Sequence, residues 1–204
     1  MTWWCERVVP RLVDVALRSP AATKARQRAC AGLSGEVLEI GFGSGLNVEH
    51  YPATVERVLA VEPADLGWRL AEPRVAASRV PVERVGLDGQ AIPLPDASAD
   101  VALSTWTLCT IPDPVAALRE VARVLRPGGA LHLVEHGLAP DDRVARWQHR
   151  LQPLQYRLAG GCHLDRPIDR LLAEAGFRSG GVEQSYEKGA PRVLGSLYEG
   201  VVRV

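Results

Sequence analysis

Apolar residues along this chain change their spacing repeatedly, and each change predicts an element. Val8, Val9, Leu12, Val13 and Ala16 recur at helical intervals, which predicts helix through most of the first thirty residues. Ser19-Pro20 punctuates it, and a second helical piece follows from about Ala21 to Ala31. Glu36-Val-Leu-Glu-Ile40 is a short apolar strand leading directly into Gly41-Phe-Gly-Ser-Gly45, and Pro52 leaves room for only a short helix after Leu46. Further strands are expected over 55–61 and 82–85, with a helix over about 64–77 that Pro73 interrupts.

The second half is more sharply patterned. A buried strand runs from Ala99 to Ser104, and Asp113-Pro114 opens a helix with Asp as N-cap and Pro at its first position. Leu118, Val121, Val124 and Leu125 give that helix its core face; Arg126-Pro-Gly-Gly129 stops it, and a strand from Ala130 to Glu135 follows. Asp141 opens another helix whose stripe, Val144, Trp147, Leu151, Leu154 and Leu158, is expected to pack on the sheet, with Pro153 kinking or breaking it. A helix over 168–175 ends at Gly176, and strands over 182–187 and 193–202 are joined around Gly189-Ala-Pro191. Strands alternating with helices predict an α/β fold, a parallel sheet covered on both faces. Two consecutive strands at the end add a hairpin and so an antiparallel strand.

Composition changes this picture little. At 204 residues the chain suits one domain. We divide it into a helical extension (1–34), a core of alternating strands and helices (35–135), expected to carry any cofactor, and further helices with the hairpin (136–204), expected on the side of any acceptor. Acidic and basic residues balance at 24 each, so no net field draws in nucleic acid or anionic lipid, and no nucleic-acid partner is expected. The basic residues are nearly all Arg, which with abundant Ala, Gly and Pro points to a GC-rich bacterial genome. Cys5, Cys30, Cys109 and Cys162 are scattered without a CxxC pair, so neither a zinc site nor a disulfide framework is expected and the metal expectation is none. Charges interrupt the N-terminal apolar stretches, and no run approaches the ~18 apolar residues of a membrane span. A cytoplasmic protein without a transmembrane span is expected. Monomer and homodimer both stay open.

In an open α/β sheet, ligands bind beyond the C-terminal strand ends, so the loop after the first strand is the place to look for chemistry. Gly41, Gly43 and Gly45 form GxGxG, with Leu46 where a dinucleotide fingerprint has its third glycine beside a pyrophosphate. That spacing favours a ligand without phosphates. Glu39, two residues ahead, suits a cationic amino-acid and sulfonium portion. Glu62 ends the second strand, where a carboxylate can accept two ribose hydroxyls, and Asp88 follows the third, placed for an adenine amino group. Each alone has a plainer reading, as a tight turn, a solvated strand end or a turn aspartate.

Together, Glu39-x-Gly-x-Gly-x-Gly45, Glu62, Leu87-Asp-Gly-Gln-Ala-Ile-Pro-Leu-Pro95 with Asp100, and Leu125-Arg-Pro-Gly-Gly129 resemble the successive motifs of class I S-adenosylmethionine-dependent methyltransferases over about Gly35 to Glu135. The resemblance implies a Rossmann-like, mostly parallel seven-stranded sheet in the order 3-2-1-4-5-7-6, strand 7 antiparallel, with an N-terminal helical lid. It implies S-adenosylmethionine as cofactor and S-adenosylhomocysteine as product. Glu39 would meet the methionine moiety, Gly41, Phe42, Gly43, Gly45 and Asn47 the cofactor's near side, Glu62 and Pro63 the ribose end, and Asp88 with Gly89 the adenine. Thr105 and Trp106 would line the methyl-transfer mouth.

A narrower resemblance covers Thr107-Leu-Cys109, Glu135-His136, Trp147 and Gly161-Cys-His-Leu164. These are similar to the methyltransferase-like branch that includes animal alkyl-thiol methyltransferases and bacterial relatives, and imply a small thiol as one acceptor. The animal members' N-terminal membrane anchor is not expected to carry over. Trp106, Cys109, His136, Trp147, Cys162 and His163 are the expected acceptor pocket, with Trp3 and Trp4 on the lid. His136 is the candidate base or acceptor-orienting group; a hydrogen bond to a loop carbonyl is its plainer role. Two alternatives remain at this point, a catalytically silent cofactor-binding module and a nicotinamide-dependent oxidoreductase. The missing third glycine, Glu39 and the Arg126-Pro-Gly-Gly129 turn count against the second.

Overall fold

The computed structural model describes residues 7–178 and 180–204; Trp3 and Trp4, expected on the lid, lie outside them. The helices are α1 (Val9–Ala16), α2 (Pro20–Cys30), α3 (Asp65–Ala76), α4 (Pro114–Val124), α5 (Asp142–Leu158) and α6 (Ile168–Glu174). The strands are β1 (Gly35–Ile40), β2 (Val55–Val61), β3 (Val82–Gly86), β4 (Ala99–Thr105), β5 (Leu125–His136), β6 (Val182–Tyr186) and β7 (Ser196–Arg203). They form one seven-stranded sheet in the order β3-β2-β1-β4-β5-β7-β6. The first five strands run parallel, and β7 pairs antiparallel with both β5 and β6.

Side-chain alternation along the strands separates two cores. Leu38, Ile40, Ala102, Leu131 and Leu133 face α4 and α6. Val37, Val58, Ala60, Val101, Leu103 and Val134 face the alanine-rich side of α2 and part of α3. Both faces of β1, β2 and β4 are therefore dry, which is why these strands read as continuous apolar runs. Helix starts follow local chemistry. The Asp113 side chain accepts from the Ala116 amide at 2.9 Å, and Ser19 caps α2 through the Ala22 amide at 3.1 Å.

Several expectations need correction. Neither Pro73 nor Pro153 breaks its helix. Both prolines are exposed, as are Arg69 and His149, whose carbonyls lose a partner four residues earlier; water can satisfy those carbonyls. Arg126-Pro-Gly-Gly129 does not precede β5 but lies within it, looped out where the pairing with β4 shifts register. The hydrophobic stripe of α5 does not pack on the sheet: Trp147, Leu154 and Leu158 are 48%, 57% and 54% exposed. The buried face of α5 is polar instead. Gln148 accepts from the Ala139 amide (2.8 Å) and donates to the carbonyls of Gly137 (3.1 Å) and Val193 (3.2 Å), so one amide docks the helix onto two irregular backbone segments through three hydrogen bonds.

Replacing Gln148 by Ala strands buried backbone groups and should cost about 2–3 kcal/mol, whereas Leu154→Ala should stay within about 0.5 kcal/mol. Denaturant midpoints of the two variants check this. Equal losses would return the apolar stripe to the core.

Candidate active site

The C-terminal ends of the five parallel strands meet at one edge, and the glycine loop lies across it. The Gly41 and Phe42 amides donate to the Val61 carbonyl at 2.9 and 3.3 Å, bending the chain over β2. Gly41 has φ +70°, and a Cβ there would lie 2.0 Å from Thr107 Oγ1, so no other residue fits. Gly43 has φ +58° and faces open space, its nearest neighbour for a Cβ being the Gly41 carbonyl oxygen at 3.9 Å. This is a bare backbone cradle. The Phe42 ring turns away from it and packs 5.3 Å from Trp68.

Glu62 braces the loop from the end of β2. Its carboxylate accepts from the Gly43 amide at 2.6 Å and from the Ala64 amide at 2.7 Å, while burial pushes its pKa up. The next strand end is tied in by the Glu62 amide, which donates to the Gly86 carbonyl at 3.0 Å. Asp88, two residues past β3, is exposed, with Pro63 exposed and Gly89 half-buried nearby along the same edge. Asp88 Oδ1 accepts from the Gln90 amide at 2.8 Å and from Gln90 Nε2 at 3.0 Å, closing the tight turn of its plainer reading.

Glu39 sits near the end of β1, two residues ahead of the loop. It is 1% exposed, and its oxygens are taken by Asn47 Nδ2 (2.9 Å) and the Tyr51 hydroxyl (2.5 Å). Burial pushes its carboxyl up to about 7. It therefore stands behind the loop and holds Asn47 in place. Sequence reasoning missed Arg26, which reaches this network from α2. Its guanidinium donates to Asn47 Oδ1 (2.8 Å) and Thr105 Oγ1 (2.9 Å), lies 4.7 Å from the centre of the Trp106 ring, and leaves a buried Nε without a partner. The available signal was one arginine on a face otherwise made of Ala22, Ala25, Ala29 and Cys30. Asp14 of α1 accepts from Ser44 Oγ (2.7 Å) and Arg74 (3.1 Å), fastening the N-terminal helix to the glycine loop.

Past β4 the chain turns through Trp106, whose φ of +49° is a conformation bulky residues avoid unless neighbours impose it. Here the Trp106 amide donates to the Val134 carbonyl at 2.9 Å, and the ring meets His136 edge-on at 6.3 Å between centres. Fully buried Glu135 accepts from the Thr107 amide and from Ser104 Oγ (2.6 Å), and burial pushes it up to about 7. The cysteines that looked scattered also converge. Ligand atoms of Cys109, His136 and Cys162, all three expected in the acceptor pocket, lie within 4.8 Å of one another. The Cys109 thiol against Cys162, helped by His136, holds Cys162 below the usual thiol range; that contact and burial push Cys109 up.

Two expected pocket residues do not join this cluster. Trp147 is exposed on α5 under Arg150, 5.3 Å from ring centre to guanidinium. His163 turns toward Gln152 (3.0 Å) and the Tyr156 ring, while its amide donates to the Cys109 carbonyl at 2.8 Å. Asp100 and Arg126 lie at the opposite edge of the sheet. Asp100 accepts from the Glu36 amide (2.8 Å) and Arg126 (2.5 Å), so the Arg-Pro-Gly-Gly turn braces the strand starts.

Comparison with known proteins agrees with this layout. Residues 38–133 match the family described as a methyltransferase domain. A human thiol S-methyltransferase is 32% identical over 190 residues, covering 86% of this chain and 78% of the relative. A rat thiol S-methyltransferase is 36% identical over 152 residues, 72% of this chain, but the chain spans only 62% of that relative. A solved S-adenosylmethionine-dependent methyltransferase from Thermotoga maritima superposes with a TM-score of 0.66 at 23% identity, covering 97% of each chain. The chain belongs to the class I S-adenosylmethionine-dependent methyltransferases. Within that class it is similar to enzymes named thiol S-methyltransferases.

Because Glu39 holds its proton more tightly folded than unfolded, its contribution is fully present below about pH 4.5 and is lost as pH rises toward 7. Glu39→Gln should therefore shrink the drop in unfolding free energy between pH 5 and pH 8 by about 2 kcal/mol. Denaturation of both proteins without cofactor at the two pH values measures it. Identical drops would mean Glu39 is ionised in the fold.

Proposed function

We propose that this enzyme methylates the sulfur of a small, largely apolar thiol at the position between Trp106 and His136. The similarity to thiol S-methyltransferases supports the acceptor class. The placement rests on Trp106, whose ring lies under the Arg26 guanidinium at 4.7 Å and also meets the His136 ring edge-on at 6.3 Å. A cofactor anchored toward Arg26 and an acceptor lodged against His136 would meet there.

The residues present fit S-adenosylmethionine. The orphaned Nε of buried Arg26 suits the carboxylate of the methionine moiety, and the bare Gly43 face admits the cofactor's body. Gly41 to Gly45 would supply backbone contacts, with Asn47 and Thr105 oriented by Glu39 and Arg26. Glu62 would accept the ribose hydroxyls beside Pro63, and Asp88 with the Gly89 backbone would take the adenine. The cofactor supplies an activated methyl on a sulfonium. What the chain contributes is alignment of nucleophile, methyl carbon and leaving sulfur, worth about 7–11 kcal/mol in favourable cases. Its N-terminal helices act as a lid in this reading, since α1 is fastened to the glycine loop and α2 delivers Arg26. Among the described residues no helix is long and apolar enough to cross a membrane. The free thiols Cys30, Cys109 and Cys162 suit a reducing cytoplasm.

Following S-adenosylhomocysteine release against thiols, phenols, amines and carboxylates tests the acceptor: alkyl thiols should turn over fastest. Transfer to phenols or amines with none to thiols would sink the reading. Arg26→Ala should weaken cofactor binding by about 10–100-fold, the loss of one charge-assisted hydrogen bond, with KM for the thiol little changed. Unaltered cofactor affinity would remove Arg26 from the site.

A further inference from the structure

We propose that Cys109, His136 and Cys162 form a binding site for a thiophilic divalent cation, zinc above all, whose fourth position takes the acceptor sulfur. Two thiols and one imidazole, with their ligand atoms within 4.8 Å of one another, need only contract slightly around a tetrahedral ion. Two sulfurs and a nitrogen are a soft set that selects zinc over magnesium or calcium. Three protein ligands with one open position is the arrangement of reactive zinc centres, whereas structural ones are closed by four.

The backbone around the cluster is built to hold these groups. The His163 amide bonds the Cys109 carbonyl at 2.8 Å, joining the two cysteine loops directly. Arg166 donates to the carbonyls of Leu108 and Ile111, strapping the Cys109 loop from the Cys162 side. Gln152 accepts from the Leu164 amide at 2.8 Å, fixing the far end of the Cys162 loop to α5. Glu135, immediately before His136, grips the Thr107 amide. Such outer contacts are what orient metal ligands.

Charge supports the assignment. A dication with two thiolates and a neutral imidazole sums to zero, which a buried site tolerates. Resting on the thiol reading above, an acceptor entering the fourth position gives up its proton to solvent and binds as thiolate. The added negative charge faces the cofactor's sulfonium, with Arg166 close by. In the transfer an electron pair of the acceptor sulfur forms the new bond to the methyl carbon. The bond from that carbon to the sulfonium sulfur breaks, its pair staying on S-adenosylhomocysteine. The product is a neutral thioether, a poor zinc ligand, and it leaves. On this account His136 acts as a ligand, and the metal does the acidifying that a general base would otherwise do.

The full chain, purified under a phosphine reductant, should hold about one zinc per chain after dialysis by elemental analysis. Its cobalt-substituted form should show a sulfur-to-cobalt charge-transfer band. Cys109→Ser, Cys162→Ser and His136→Ala should each weaken cobalt binding beyond the ~10–100-fold that outer partners command. Cys30→Ala should not. Retained S-adenosylhomocysteine binding would show that each variant is folded. Adding an alkyl thiol alone should shift the cobalt ligand-field bands. No bound metal and no charge-transfer band overturns the site, and bands unmoved by thiol, or full S-methylation after chelation, overturn its role toward the acceptor. A metal-loaded protein that methylates phenols but no thiols would sink the proposed acceptor and leave the metal site standing.

Discussion

The site depends on a single close approach, between Gly41 at the end of β1 and Thr107 just past β4. Thr107 occupies the volume that any side chain at residue 41 would need. Its amide is held in turn by the buried carboxylate of Glu135 on β5. Through these contacts three strand ends become one surface: the glycine loop belongs to β1, the turn of Trp106 to β4, and His136 to β5. A larger residue at 41 would push the cofactor side and the acceptor side apart, whatever the remaining residues did.

A second theme is polar chemistry placed in dry surroundings. Glu39 and Glu135 are both fully buried and both pushed toward neutral pH. Neither faces open space; each organises neighbours, Glu39 through Asn47 and Tyr51, and Glu135 through Ser104 and the Thr107 amide. Burying such groups opposes stability unless every lone pair is used. The carboxylates of both are accordingly hydrogen-bonded; among the described residues the buried side-chain atoms left without a partner are Arg26 Nε, Trp106 Nε1 and Ser196 Oγ, the first two of which belong to the residues around the proposed site. Polar docking recurs at Gln148, where one side chain replaces an apolar interface for α5 and leaves Trp147, Leu154 and Leu158 exposed.

Much of this was legible in the sequence because local rules govern it. The buried parallel strands announce themselves as apolar runs, Asp113-Pro114 as a helix start, and Gly41-x-Gly43-x-Gly45 as a loop that brings backbone to a ligand. Strand order came from resemblance to a family whose motifs follow one another in a set sequence, and the observed sheet has that order. Less legible were features whose meaning depends on direction in space. The stripe on α5 has correct helical spacing, but periodicity cannot say which face a helix turns to the core. Proline weakens a helix less where the freed carbonyl can reach water, and both helix-interior prolines sit on the exposed side.

By itself, then, the sequence determined the alternation of elements, the class of fold and the glycine loop after β1, because each is encoded within a few positions of the chain or in motifs that follow one another along it. Tertiary structure decided what each residue there faces. It turned Glu39 inward, brought Arg26 in from α2, set Asp100 and Arg126 at the far edge, and closed Cys109, His136 and Cys162, grouped in one pocket only by resemblance, to within 4.8 Å of one another from three separate segments. No spacing rule reaches across such separations. Only the packing of β4, β5 and the loop after α5 brings those side chains within reach of one another.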